Sequence, residues 1–259
     1  DQQAELEATN AKLTENATKH AATVERLEGQ LGALSTRIAE LETKANAAQK
    51  AKLPPPLPPI SEGPPAKIRR VVLGDAQLRG KDTALVTIVQ YSDFQCPHCA
   101  TTGATLDELA KKYGDDVRFA FKHYPLTGHD RAMPAAIAAE AAGEQDKFWE
   151  MHDKLFDNNT ALTDTNFEVW AKELGLDVAQ FKRDLKDPAL KKRVEGMKRD
   201  GEDLEVMGTP DFYVNGHHLE SGNAVADFVP VIDAELARAR ALVASGTAPT
   251  NVYREAIRG

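Results

Sequence analysis

The sequence predicts an α/β fold that carries an inserted helical subdomain and is preceded by a separate coiled-coil helix. Three observations lead there. Residues 1–52 keep a 3-4 apolar spacing without a single Pro, Cys or aromatic residue. Residues 84–91 (ALVTIVQY) and 117–124 (VRFAFKHY) read as strands, with a helical pattern between them. From about 131 to 207 helical patterns dominate, ahead of a two-residue turn signal at Asn215-Gly216.

In the first region one heptad series is Leu6, Leu13, His20, Leu27, Leu34, Leu41 and Ala48; the interleaved one is Asn10, Ala17, Val24, Leu31, Ile38 and Ala45. Leu at d, with Val and Ile among the a residues, favours a parallel dimer, and Asn10 at a helps fix register. Gly29 and Gly32 weaken the helix, and His20 reads as a tolerated polar layer. An isolated helix is marginal in water, so self-association is the expectation: a homodimer through residues 1–52. Residues 53–67 (LPPPLPPISEGPPAK) hold seven of the chain's 14 prolines. Such a stretch prefers an extended, semi-rigid form and reads as a spacer.

The globular domain spans 68–244. Residues 68–73 suggest an edge strand. Residues 84–91 are apolar nearly throughout, as a strand covered on both faces should be. A helix follows from Pro97 to about Tyr113, then the 117–124 strand, then the insertion. Asn-Gly between 211–214 and 217–220 supplies the positive φ angles of a type I′ hairpin. A helix over about 225–244 comes next, and the tail 245–259 reads as loose. Strand, helix, strand, helical insertion, hairpin and helix is the order of a thioredoxin fold interrupted by a helical subdomain.

The chain has 259 residues, is 42% apolar and carries a formal net charge of −8. No basic block stands out, so nucleic acid is excluded as a partner. No apolar run approaches the ~18–20 residues that span a bilayer; any signal peptide or membrane anchor would lie upstream of Asp1.

Only two cysteines occur, three apart, in Cys96-Pro97-His98-Cys99. A bridge that short closes almost no loop, so the pair speaks of reactivity rather than stability. It opens a predicted helix, where unpaired N–H groups and partial positive charge favour a thiolate. Pro97 at the first helical position loses no hydrogen bond, and His98 can add a donor or a charge beside the sulfur. The thiolate is the attacking species, and Cys99, one turn on, can release a mixed disulfide. Haem attachment would need His where Ala100 stands. Structural zinc would need two further ligands at matching spacing; a metal shared between chains by Cys96, Cys99 and His98 is the remaining metal reading. Thr209-Pro210, just before the hairpin strand, marks a strand start or a cis bond.

YSDFQCPHC, FWEMHDKLF and GTPDFYVNG together resemble the DsbA-like thioredoxin family of bacterial envelopes, over about 68–244. The resemblance implies a thiol–disulfide oxidoreductase in the periplasm or cell envelope that acts on cysteine-containing proteins. A membrane partner renews it, and no cofactor or metal is expected. Cys96 would be the exposed nucleophile, Cys99 the buried resolving thiol and His98 the thiolate stabiliser. Pro210 would be a cis-proline beside them, and the Thr209 backbone would pair with an extended client.

Gln90 stands where the family has an acidic proton carrier; Lys122 matches that carrier's partner. Asp93 serves either in proton transfer or as a turn cap. Thr209, where oxidases carry Val, leaves isomerase or reductase activity beside the favoured dithiol oxidase. A client-holding or copper-binding protein is the reading from another class. His123 and His129 read as core or surface residues near the active face, His152 as packing with Trp149 and Phe156, and His217-His218 as solvated.

Overall fold

The computed structural model describes residues 68–219, 222 and 224–258, with short helical pieces at 19–20, 26–27, 29–30 and 32–37. The chain divides into two units, Asp1–Gly63 and Pro64–Gly259. In the first, every described residue is helical and exposed; the seam residues Leu27 and Leu34 are 49% and 61% exposed. The rest of the expected seam and the proline spacer lie outside the described residues.

In the second unit the strands are β1 (Gln77–Arg79), β2 (Val86–Ser92), β3 (Val117–His123), β4 (Asp211–Val214) and β5 (His217–Leu219). Among the described residues they form one sheet in the order β1-β3-β2-β4-β5. The β2–β3 pair is parallel and the other pairs are antiparallel. Every residue of β2 is buried, because layers cover both faces. On one side Val86, Ile88, Phe212 and Val214 pack with Leu109, Phe228 and Ile232. On the other, Val89, Tyr91, Ala120 and Tyr213 pack with Val71, Val206, Tyr253 and Ile257.

Two helices follow β2: α1 (Pro97–Thr101) and α2 (Gly103–Tyr113). The single helix expected over 97–113 is thus interrupted at Thr102, whose hydroxyl donates to the Cys99 carbonyl at 2.8 Å. The insertion comprises α3 (Ala132–Gly143), α4 (Phe148–Asp157), α5 (Asp164–Glu173), α6 (Val178–Asp184) and α7 (Pro188–Asp203). In α3, Ala135, Ala138, Ala139, Ala141 and Ala142 are buried against Phe121, Phe148, Met151 and Leu155. Small side chains there let the helices approach closely.

A polar node ties the insertion to the sheet. Glu140, wholly buried, meets His123 Nε2 at 2.9 Å and accepts from Arg193 Nη1 at 2.8 Å and Gln77 Nε2 at 3.1 Å. Burial presses its carboxyl up, yet His123 and Arg193 hold it below its ordinary value.

The hairpin turns at Asn215 (φ 45°) and Gly216 (φ 87°), the two left-handed positions expected. Gly216 is required twice over, since a Cβ there would lie 2.6 Å from the Arg69 carbonyl oxygen. It leads to α8 (Val225–Ala244) and α9 (Val252–Ala256).

Two expectations are corrected. Residues 68–73 are not a strand; the edge strand is β1, a few residues later. The backbone of the earlier stretch is satisfied elsewhere. Arg69 N–H donates to Gly216 O at 2.8 Å, and the carbonyls of Val71 and Val72 accept from Tyr253 Oη at 2.6 Å and Lys122 Nζ at 2.8 Å. The tail is not loose either. Val252, Tyr253 and Ala256 are buried in α9, and Tyr253 and Ile257 complete the core under Val71 and Tyr213.

Candidate active site

Cys96 caps α1 with extended backbone (φ −72°, ψ 120°), and Pro97 begins the helix. The loop from β2 is fixed by Asp93. Its carbonyl accepts from Cys96 N–H at 3.1 Å, and its carboxylate accepts from Gln95 N–H at 2.7 Å and Leu126 N–H at 2.9 Å. The same carboxylate meets His129 Nδ1 at 2.8 Å. Of the two roles expected for Asp93, the geometry is that of the turn cap, with its carboxylate contacts directed to Gln95, Leu126 and His129.

Both cysteines are free thiols. Cys96 is 4% exposed and Cys99 1%. Cys96 is therefore less open than expected: its Sγ donates to the Thr209 carbonyl at 3.3 Å, so the 209 segment sits over it. The Thr209–Pro210 peptide is cis, directly ahead of β4. The structure thus brings Cys96, Cys99 and Thr209 together across 113 positions of sequence.

The two sulfurs are unequal. The Cys99 thiol donates to Cys96, and with the backbone N–H groups of Cys99 and His98 it outweighs burial, lowering the Cys96 pKa to about 5. Burial pushes the Cys99 thiol far up, and the neighbouring Cys96 sulfur adds to this. The carbonyl contact belongs to the thiol form of Cys96; on ionisation the sulfur keeps its N–H and S–H donors. His98 acts through its backbone N–H, while its side chain lies at the exposed surface.

The expected Gln90–Lys122 relationship does not form. In the parallel register Gln90 faces Phe121 and Tyr91 faces Lys122, and alternate residues of a strand point to opposite faces. Lys122 lies on the Tyr91 side, its Nζ 5.6 Å from that ring and 2.7 Å from Asp200 Oδ2. Gln90 stays on the thiol side, donating to Ser92 Oγ at 3.3 Å and Thr102 Oγ1 at 3.2 Å. Ser92 and Thr102 carry no sequence signature and were not foreseen as site residues.

His123 joins the Glu140 node. His152 packs as expected between Trp149 and Phe156, at 5.0 and 4.8 Å between ring centres. His217 and His218 are not simply solvated, since they meet Glu235 at 2.9 Å and Asp211 at 2.7 Å. Among the described residues no group of three or more His, Cys, Asp or Glu is placed to hold a metal, and no helix is long and apolar enough to cross a membrane.

A thioredoxin family model matches residues 74–234. Among solved structures, oxidised BdbD from Bacillus subtilis aligns with a TM-score of 0.61 at 24% identity, covering 66% of this chain and 98% of that one. A thioredoxin-like oxidoreductase from Silicibacter pomeroyi gives 0.58 at 26%, covering 68% and 99%. A periplasmic thioredoxin-like protein from Salmonella enterica serovar Typhimurium gives 0.54 at 20%, covering 62% and 90%.

The curated relatives are of another kind. Na(+)/H(+) antiporter NhaA 1 of Mycolicibacterium vanbaalenii is 37% identical over 142 residues, 54% of this chain and 23% of that protein. Na(+)/H(+) antiporter NhaA 3 of Salinispora tropica is 42% identical over 145 residues, 54% and 22% respectively. The chain spans about a quarter of the length of these relatives.

Proposed function

The chain belongs to the thioredoxin family, with the fold of its DsbA-like members, and on that premise we propose that it is a dithiol oxidase of proteins. The carrying observation is the inequality of the sulfurs: the Cys96 pKa is lowered to about 5 while that of Cys99 is raised. A client thiolate attacks Cys96 in the Cys96–Cys99 disulfide, and Cys99 leaves and takes up a proton. The client's second thiol attacks its own mixed-disulfide sulfur, and Cys96 leaves as a thiolate. A thiolate already held by N–H and S–H donors is a good leaving group, so electrons flow from client to protein.

The Thr209 backbone, beside Cys96, is the edge on which an extended client segment is held, with Pro210 shaping it. A redox partner at the membrane restores the disulfide, and the work is done in the cell envelope. Pairing of two chains through residues 1–52 is supported by the exposed seam residues Leu27 and Leu34. The antiporter relatives support a setting at a membrane surface, with the redox domain as one portion of a larger assembly.

The test is the equilibrium of the Cys96–Cys99 pair with a glutathione buffer. A protein almost wholly reduced where the buffer is mostly oxidised fits the oxidase. A pair that stays oxidised in mostly reduced glutathione overturns it.

A further inference from the structure

A cavity of about 450 Å³ lies between α1 and α2 on one side and β3 and α4 on the other. It arises from unequal side chains. The helix wall offers Ala100, Gly103 and Ala104, whereas the sheet and α4 offer Phe119, Phe121, Trp149 and Phe156. A Cβ added at Gly103 would meet nothing within 4 Å, so no neighbour fills the space in front of it. The volume falls in the range of small-molecule pockets, which are mostly apolar with a few placed polar groups.

Its two ends differ. At the inner end Cys99, Gln90 and Phe121 are buried. Gln90 uses both amide protons on Ser92 Oγ and Thr102 Oγ1, and the Thr102 hydroxyl donates to the Cys99 carbonyl. That end therefore suits an apolar group. At the mouth Asp107 of α2 and Asp157 of α4 are exposed. Neither makes a hydrogen bond or ion pair among the described residues. The third carboxylate of the wall, Asp153, is already engaged, by Arg79 Nη2 at 3.4 Å and His152 Nδ1 at 2.8 Å. Arg79 also stacks on Trp149, 4.6 Å from the ring centre. The cation of the wall is thus committed, while two carboxylates stand open beside aromatic faces, which themselves attract cations.

We propose that this cavity binds an amphipathic ammonium compound, with its apolar end against Cys99 and its charge between Asp107 and Asp157. An anion meets repulsion at the mouth, and a neutral molecule forgoes the carboxylates. The site goes beyond the exchange reading and does not depend on it. Because Cys99 is part of the wall, closing a Cys96–Cys99 disulfide moves a sulfur that the occupant touches. The compound therefore binds the reduced and disulfide forms unequally, and shifts the balance between them by the same factor.

The test is an NMR titration of the reduced full chain with phenylpropylammonium, set against the alcohol and the carboxylate of the same skeleton. A ligand of about ten non-hydrogen atoms at ordinary efficiency reaches a Kd of about 5 mM or tighter. The indole N–H of Trp149 should shift and that of Trp170, which does not line the cavity, should not. Two exposed ion pairs are together worth about three- to twentyfold in affinity. The alcohol should be weaker by that factor, and the carboxylate weaker still. Asp107→Asn with Asp157→Asn should bring the ammonium down to the alcohol's affinity and leave the alcohol as it was, which also shows that the variant is folded. Gly103→Leu should weaken ammonium and alcohol alike.

Ammonium and alcohol of equal affinity, or a double Asn variant within about twofold of wild type, overturn the assignment, because the carboxylates then contribute less than an ordinary ion pair. A shift at Trp170 without one at Trp149, or a Gly103→Leu chain that binds unchanged, puts the compound elsewhere and overturns it too. So does equal affinity for the reduced and disulfide forms, since the occupant would then not reach Cys99.

Discussion

Cys96 Sγ lies 3.3 Å from the carbonyl oxygen of Thr209, although 113 positions separate them in the chain. The contact fastens the first turn of α1 to the segment that begins β4. Whatever approaches the reactive sulfur must come past the Thr209 backbone.

The Thr209 hydroxyl is buried beside the two sulfurs but makes no hydrogen bond among the described residues. Thr209→Val keeps the shape and removes the hydroxyl. It should raise the midpoint of Cys96 alkylation by about half a unit or less, short of what a full hydrogen bond to a charged group is worth. Alkylation rates against pH in the reduced protein check it.

In the wild type that midpoint should fall near 5, because the Cys99 thiol and two backbone N–H groups hold the thiolate. Cys99→Ala removes the first of these causes and should raise the midpoint more than His98→Ala does, since His98 contributes through its backbone. A larger effect from His98→Ala would show that the imidazole, and not the peptide, sets the charge.

The lowered pKa also makes stability depend on pH. Cys96 ionises more readily folded, at about 5, than unfolded, near ~8.5. Its contribution to the reduced form is therefore complete above the unfolded value and lost as pH falls through about 5. Calorimetry should show the reduced protein's Tm falling relative to the disulfide form's between about pH 8 and 5, as linkage requires. Cys96→Ala, which cannot form the disulfide, should show no such fall when compared with the wild-type disulfide form.

Glu140 is the shared acceptor of His123, Arg193 and Gln77. Glu140→Ala leaves buried His123 without its partner, while Arg193 keeps Glu144, and should cost about 1–3 kcal/mol, the range for a buried polar group left unsatisfied. Denaturant unfolding measures it. Cys96 alkylation in the surviving native fraction should keep its wild-type pH profile.

The site's local parts were legible because their chemistry is local. Cys96-Pro97-His98-Cys99 states its own position at a helix start, and Asn215-Gly216 states its own turn. Register is not written that way. Lys122 pairs with Tyr91 rather than Gln90, a shift of one residue that moves its ammonium to the other face of the sheet. The tail was misread for a related reason: Val252, Tyr253 and Ala256 are too few and too near the end to show a period, and their place depends on Val71, 182 positions from Tyr253. Ser92 and Thr102 are joined through Gln90, a contact that no spacing rule reports.

The clamp at the start of the folded unit has a mechanical consequence. Arg69 is fastened to Gly216 at the hairpin tip, Val71 to Tyr253 of α9, and Val72 to Lys122 of β3. Tension arriving along the chain ahead of Ile68 is therefore divided among three anchors before it reaches the interior. One of them, the hairpin tip, lies at the far end of the four-residue strand Asp211–Val214, which starts beside Thr209 and Pro210. A pull on the chain at Arg69 is thereby delivered to the strand that begins beside Thr209 and Pro210.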